Sequence, residues 1–234
     1  MPSTLQPHEL YLSQMVEVKR RFRAADRILG AKKPLTRDAD IDNECVFLQM
    51  RRIIELITFS AIVSDELRYQ RSRELDAMAN PKDKGDYTAD WNAAKILEKL
   101  SKISPYFLPR PLGPMTTQPD GTKHFNEAAA KLTHDRLISI YKTSGGYAHS
   151  PNPYKENGQE LDRQKKVNAR STLERDMVFL KSVIWDHVKI GLAWTPGANP
   201  TQIENSETAW LVWFGNKDND DVRMSLATAV KQQG

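Results

Sequence analysis

Two groups of side chains in this sequence have the types and spacing to do chemistry. The first is the run Tyr141-Lys142-Thr143-Ser144-Gly145-Gly146-Tyr147-Ala148-His149-Ser150-Pro151-Asn152-Pro153. An imidazole exchanges protons near neutral pH and an ammonium stabilises negative charge growing on a phosphate. His149 with Lys142 is therefore chemically sufficient for metal-free phosphodiester cleavage. The competing reading is structural: His149, Ser150 and Asn152 fix a loop through local hydrogen bonds. The second group is Glu44, Gln49, Arg51, Arg52 and Glu55. Glu44 and Arg51 are seven apart and Arg51 and Glu55 four apart, so on a helix they share a face and can pair. Charges on a helix with a strong apolar pattern need partners, so this face is either an internal ion-pair network or one wall of a polar site.

Other chemistries find little support. His8, His124, His134 and His187 lack metal-ligand spacing and Cys45 is the single cysteine, so neither a metal nor a cofactor is expected. The glycine pair is not followed by the Lys-Ser/Thr ending of a phosphate loop, and no Gly-x-Ser-x-Gly elbow occurs.

The elements that must position these groups are mostly helical. Leu12, Met15, Phe22 and Leu29 recur at helical spacing between Pro7 and Gly30, and Lys19, Arg20, Arg21, Arg23 and Arg27 would form a basic, solvated stripe beside them. Asp38 or Asp40 caps a second helix carrying Ile41, Cys45, Leu48, Ile53, Leu56, Ile57, Phe59, Ile62 and Val63; it is expected to run through the charged stretch 65–74 and stop by Asn80-Pro81. Trp91, Ala94, Ile96, Leu97, Leu100 and Ile103 mark a third helix. The proline-rich stretch 104–125 is an irregular excursion with room for one hairpin. A fourth helix begins at Thr133 and is expected to break at Gly145-Gly146, and a fifth covers the stretch from Glu156 to Trp185. The period then changes. Val188, Ile190, Leu192 and Trp194 alternate with His187, Lys189, Gly191 and Ala193, and strands over 209–214 and 222–226 complete a small antiparallel segment. Trp185, Trp194, Trp210 and Trp213 are expected to cement that segment to the helices rather than stack on bases. The expected fold is mainly α (α+β): a helical bundle over 1–186 and a β-rich segment over 187–234 packed on it.

With 234 residues the chain can bury a sizeable core without staples, and 34 basic against 30 acidic side chains leave a net charge of only +4. Charge alone gives no reason to expect nucleic-acid binding. A lone cysteine, no signal-like N-terminus and no long apolar run point to a cytoplasmic protein with no membrane segment.

The helix order, the stretch from Cys45 to Glu55, the proline-rich run from Ser104 to Pro111 and the Tyr141 to His149 segment resemble bacterial proteins related to the HEPN superfamily, over most of residues 10–195. HEPN proteins are compact helical domains that often dimerise, and many are RNases or toxins whose site pairs an arginine with a histidine across four to six intervening residues. The resemblance implies a HEPN-like bundle and a metal-independent RNase or RNA-binding effector in stress, toxin-antitoxin or phage-defence settings. Lys142 and His149, six residues between them, take the motif positions, with lysine in place of the family's arginine. His149 would be the general acid or base, Lys142 the phosphate stabiliser, and Arg51 with Glu55 an orienting pair. Gln49, Tyr141 and Asn152 would contact substrate. Implied partners are RNA and a second copy of the chain. The alternative is a non-enzymatic, dimeric scaffold that holds a protein partner through the proline-rich excursion and the tryptophan-bearing sheet.

Overall fold

The structure, a computed structural model, describes residues 5–80, 84–148, 154, 158–192, 196–201 and 207–228. Six α-helices and one five-stranded antiparallel sheet are built from these residues: α1 (Pro7–Leu29), α2 (Ala39–Ser64), α3 (Glu66–Ala79), α4 (Ala93–Ile103), α5 (His134–Ala148) and α6 (Gly158–Ile184), with β1 (Arg110–Thr117), β2 (Lys123–Glu127), β3 (Asp186–Leu192), β4 (Glu207–Trp213) and β5 (Arg223–Thr228). The mainly helical class with a small antiparallel sheet is as the periodicities indicate.

Helix α2 is the axis of the bundle. Its N-terminus is set by Asp38, whose carboxylate accepts from the backbone N–H groups of Asp40 and Ile41. Val46, Phe47, Met50, Ile53, Ile54 and Ile57 of α2 are fully buried. They meet Tyr11, Met15, Val18 and Phe22 of α1, Leu137 and Ile140 of α5, and Leu173, Met177 and Leu180 of α6 in one continuous core. Ile41 and Leu48, counted in the apolar set from sequence, lie instead on the exposed side of α2. Trp91 likewise is not part of its helix: Asn92 caps α4, and Trp91 stands before the cap, 72% exposed.

The expected passage of α2 through the charged stretch does not occur. The chain leaves helical geometry at Asp65 (φ −130°, ψ 27°) and restarts as α3. The reason is a buried charge. Asp65 turns its carboxylate towards the ammonium of Lys189 on β3, 3.7 Å away, and both side chains are shielded from solvent. Arg68 of α3, also buried, is the second cation beside Asp65, at 3.9 Å.

The sheet order is β2-β1-β3-β4-β5, so the proline-rich excursion forms a hairpin that joins the C-terminal strands. The β layer therefore includes residues of the excursion as well as the strands after residue 186. Pro111 and Pro114 lie within β1, which is flanked on both sides; lacking N–H groups, they cannot sustain two full ladders. Accordingly β1 pairs with β3 only at Arg110↔Val188 and Pro111↔His187, and its register with β2 shifts between Leu112 and Met115.

The alternation in β3 is as strict as the sequence suggests, but the polar set faces the helices. His187, Lys189 and Gly191 are buried, whereas Val188 and Ile190 are only half-buried on the other side. Burial of an ammonium needs hydrogen-bond acceptors. Lys189 Nζ donates to the carbonyls of Tyr106 (2.7 Å) and Ile190 (3.0 Å), and its burial pushes the pKa down to about 8. His187 Nδ1 is 2.7 Å from the Ile184 carbonyl, which can only accept, so that nitrogen carries the proton. Nε2 then accepts from the Tyr11 hydroxyl at 2.8 Å.

The basic stripe of α1 is also put to structural use. Lys19 is fully buried and donates to the carbonyls of Phe214 and Asp221 and to Asn219 Oδ1, and Arg23 pairs with Asp220. Together they anchor the β4–β5 turn. Arg20 and Arg21 pair with Glu17 on the same helix. Of the tryptophans, Trp185 packs on Phe22 and Phe214 and Trp210 on Tyr11, joining sheet to helices. Trp213 lies against Phe125 on the far side of the sheet, and Trp194 falls outside the described residues.

Burial holds His187 neutral, with its pKa pushed from 6.5 down to about 4. As the pH falls the unfolded chain therefore takes up this proton first. The stability contributed by the neutral ring is fully present above pH 6.5 and is lost as the pH approaches 4, by about 3 kcal/mol for this group. Urea unfolding of wild type and His187→Gln at pH 7 and pH 4 measures it: the advantage of wild type should shrink by that amount at the lower pH.

Candidate functional site

Arg51 stands at the meeting of α2 and α5. Its Nε donates to Glu55 Oε1 at 3.1 Å, one helical turn along, and Arg52 Nη1 donates to Glu55 Oε2 at 2.9 Å. The Glu55 carboxylate is thus held from both sides. Arg51 Nη2 donates to the Tyr141 hydroxyl at 2.7 Å, and the guanidinium carbon lies 4.3 Å from the Tyr141 ring centroid. One guanidinium therefore binds a carboxylate on its own helix and a phenol on the next.

Gly145 makes this approach possible. A Cβ at that position would lie 2.6 Å from Arg51 Nη1, closer than any real side chain tolerates. The glycine is needed for proximity, four residues after Tyr141 and on the same helical face. The expected break at Gly145-Gly146 is consequently absent: α5 continues to Ala148. Packing against α2 offsets the poor helix propensity of two glycines. Tyr147 contributes by stacking on Phe47, ring centroids 3.8 Å apart and planes within 6°.

Of the residues expected to act together, the structure brings Arg51, Glu55 and Tyr141 into contact. Arg51 and Glu55 side chains are 24% and 13% exposed, so the pair is partly open to solvent rather than sealed. Burial raises the pKa of the Tyr141 phenol while the neighbouring Arg51 charge lowers it, with burial the larger effect. Lys142 is exposed, one position away from the face that meets Arg51. Gln49 is engaged elsewhere, accepting from Arg21 Nη1 at 2.9 Å. Glu44 is exposed and does not share the pair as its spacing suggests; Arg51 and Arg52 both turn to Glu55. His149 and Asn152 fall outside the described residues.

Sequence reasoning does not find Gly145 as a contact residue or Tyr147 as an anchor. The available signal was a glycine four residues after a tyrosine on a buried helix face, next to an aromatic. Among the described residues no group of His, Cys, Asp and Glu gathers to hold a metal ion, and no helix is long and apolar enough to cross a membrane. Comparison with family models, with curated proteins and with solved structures gives no match for this chain.

The proximity of Gly145 and the Arg51–Tyr141 bond are one interaction viewed from two residues, so substitutions there should be non-additive. Tyr141→Phe should cost about 1.5 kcal/mol in the native background, as the loss of a hydrogen bond to a charged group. In a Gly145→Ala background, where the guanidinium is already displaced, the same change should cost less than about 0.5 kcal/mol. A denaturation double-mutant cycle reads the difference.

Proposed function

We propose that this is a HEPN-like, RNA-directed protein whose working surface lies where α5 leaves the Arg51–Glu55–Tyr141 cluster, with His149 as general acid or base and Lys142 as the phosphate-stabilising cation. The observation that supports this reading most is the Arg51 clamp. It holds the last two turns of α5, which lead directly to His149, against the charged side of α2. A partly open guanidinium–carboxylate pair beside an exposed lysine offers positive charge to a phosphate and an orienting carboxylate to an imidazole. Reaction through such groups needs no metal: the 2′-hydroxyl of RNA would lose its proton to the imidazole as it attacks the adjacent phosphate, and the 5′-oxygen of the next nucleotide would leave with a proton. That chemistry is specific to RNA because DNA lacks the nucleophile.

A second reading, a non-enzymatic scaffold for a protein partner, draws on a different observation. Leu67, Leu75 and Met78 of α3 are all exposed, and their spacing places them along one side of that helix.

Incubation of purified protein with mixed single-stranded and structured RNAs in the presence of a chelator separates the two. On the RNA-directed reading, cleavage is lost in His149→Ala, falls at least tenfold in Lys142→Ala, and DNA of the same sequence stays intact. Cleavage that persists undiminished in His149→Ala rules out the proposed site. Absence of both cleavage and salt-dependent RNA binding rules out the RNA reading and leaves the scaffold.

A further inference from the structure

Folding ordinarily buries most of a tryptophan, yet Trp91 stands 72% exposed ahead of α4, away from the face that Ile96, Leu97 and Leu100 turn to the core. Its backbone is not loose. Asp90, the residue before it, accepts from the Tyr69 hydroxyl at 2.8 Å and forms an ion pair with Arg73 at 2.9 Å, both on α3. Asn92, the residue after it, caps α4 by accepting from the N–H groups of Ala94 (3.1 Å) and Lys95 (3.2 Å). The indole is thus carried on chain that is fixed on both sides, so its exposure is a property of the fold and not of a frayed end.

Beside the indole, between α3 and α4, is a pocket of about 290 Å³, at the small end of the range for ligand sites. Arg73, Lys95 and Lys99 line it together with the carboxylate of Asp90, which is engaged as described. Lys99 is paired with Asp76, whereas Lys95 is an exposed residue of the first turn of α4. A π surface open to water gains most from a flat aromatic ring laid on it. The cations set the charge of what that ring is attached to. A cationic ligand would face Arg73, Lys95 and Lys99, and a neutral apolar one would strip water from them without compensation. A base joined to phosphates meets both demands.

We propose that Trp91 and Lys95 form a binding site for single-stranded nucleic acid, one base stacked on the indole and an adjacent phosphate on the Lys95 ammonium. Stacking needs a base with an open face, which a duplex does not offer, and it is indifferent to the 2′-hydroxyl, so DNA and RNA strands are both held. Such a site deepens the RNA-directed reading and rests on it for the source of the strand, while the stacking itself uses neither His149 nor Lys142.

Fluorescence anisotropy with labelled oligo-dA, oligo-rA and duplex DNA tests the site on the full chain. The RNA is read in the His149→Ala protein, so that it stays whole. Both single strands should bind saturably and the duplex at least about tenfold more weakly; Trp91→Ala should weaken strand binding about tenfold, and Trp91→Phe, which keeps a ring, less than about threefold. Lys95→Gln should lower the slope of log affinity against log salt by about 0.7. If Trp91→Ala loses the native circular dichroism spectrum, Trp91→Leu, apolar but without a π face, takes its place. No binding of either strand, equal binding of strand and duplex, an unchanged isotherm in the folded Trp91 variant, or an unchanged salt slope in Lys95→Gln would overturn the proposal. RNA cut at full rate with oligo-dA unbound removes this site and keeps the cleavage reading. Oligo-dA bound through Trp91 with RNA left uncut removes the cleavage chemistry and keeps this site.

Discussion

A strand that turns its polar side chains inward is tolerated only if every buried donor and acceptor finds a partner, and here that demand centres on the ammonium of Lys189. Its partners come from three parts of the chain: the carboxylate of Asp65 between α2 and α3, with which it forms an ion pair, and the carbonyls of Tyr106 before β1 and of Ile190 on its own strand, to which it donates. One side chain therefore ties together the end of the central helix, the start of the proline-rich hairpin and the middle of the sheet. Such a group adds little net stability, because its desolvation nearly cancels its attractions. Removing one partner, however, leaves an uncompensated charge at a cost of about 3–5 kcal/mol, a large part of the total of roughly 5–15 kcal/mol for a domain. The cluster thus selects this arrangement over others that bury the same apolar area.

The same logic governs the cations of α1 and α2. Lys19 and Arg23 hold the β4–β5 turn, and Arg51 spans α2 and α5. A small excess of positive charge is therefore a poor guide to a binding surface in this chain, since several of its cations are engaged with carbonyls, carboxylates and a phenol. What can still meet an anion is decided locally, by whether a cation has an opposing carboxylate. Arg51 has one in Glu55, and Lys19 is satisfied by carbonyls and an amide oxygen instead.

The parts of the fold that could be read from sequence are those in which local pattern and tertiary demand agree. Pro7 and Gly30 bracket α1, Asp38 caps α2, Thr133 precedes α5, and the period-two alternation in β3 marks a strand. The misreadings arise where a distant partner decides. Asp65 ends α2 because Lys189, 124 positions away in sequence, requires its carboxylate. Gly145 continues a helix because Arg51 fills the space where its side chain would be. Periodicity shows that β3 has two faces but not which one is buried, since Lys189 and His187 are acceptable inside only through groups supplied by other elements. Of the candidate site, the contact between Arg51 and Glu55 was legible from their spacing of four; the contact of Arg51 with Tyr141 was not, because it joins residues 90 positions apart.

Gly145 also bears on how the two halves of the candidate site relate. A helix that broke at the glycine pair would leave the segment after Tyr141 free to swing, and Lys142 and His149 would have no fixed relation to α2. α5 instead runs continuously to Ala148 and is pinned against α2 by Arg51 and by Tyr147 on Phe47. Residues on rigid elements hold reactive geometry better than residues on loops. A scaffold needs the same rigidity to present a surface, so the clamp does not by itself distinguish chemistry from docking. What differs between the two readings is the surface that each needs: the proposed RNA site uses the end of α5 that the clamp fixes, whereas docking would use the exposed apolar side of α3.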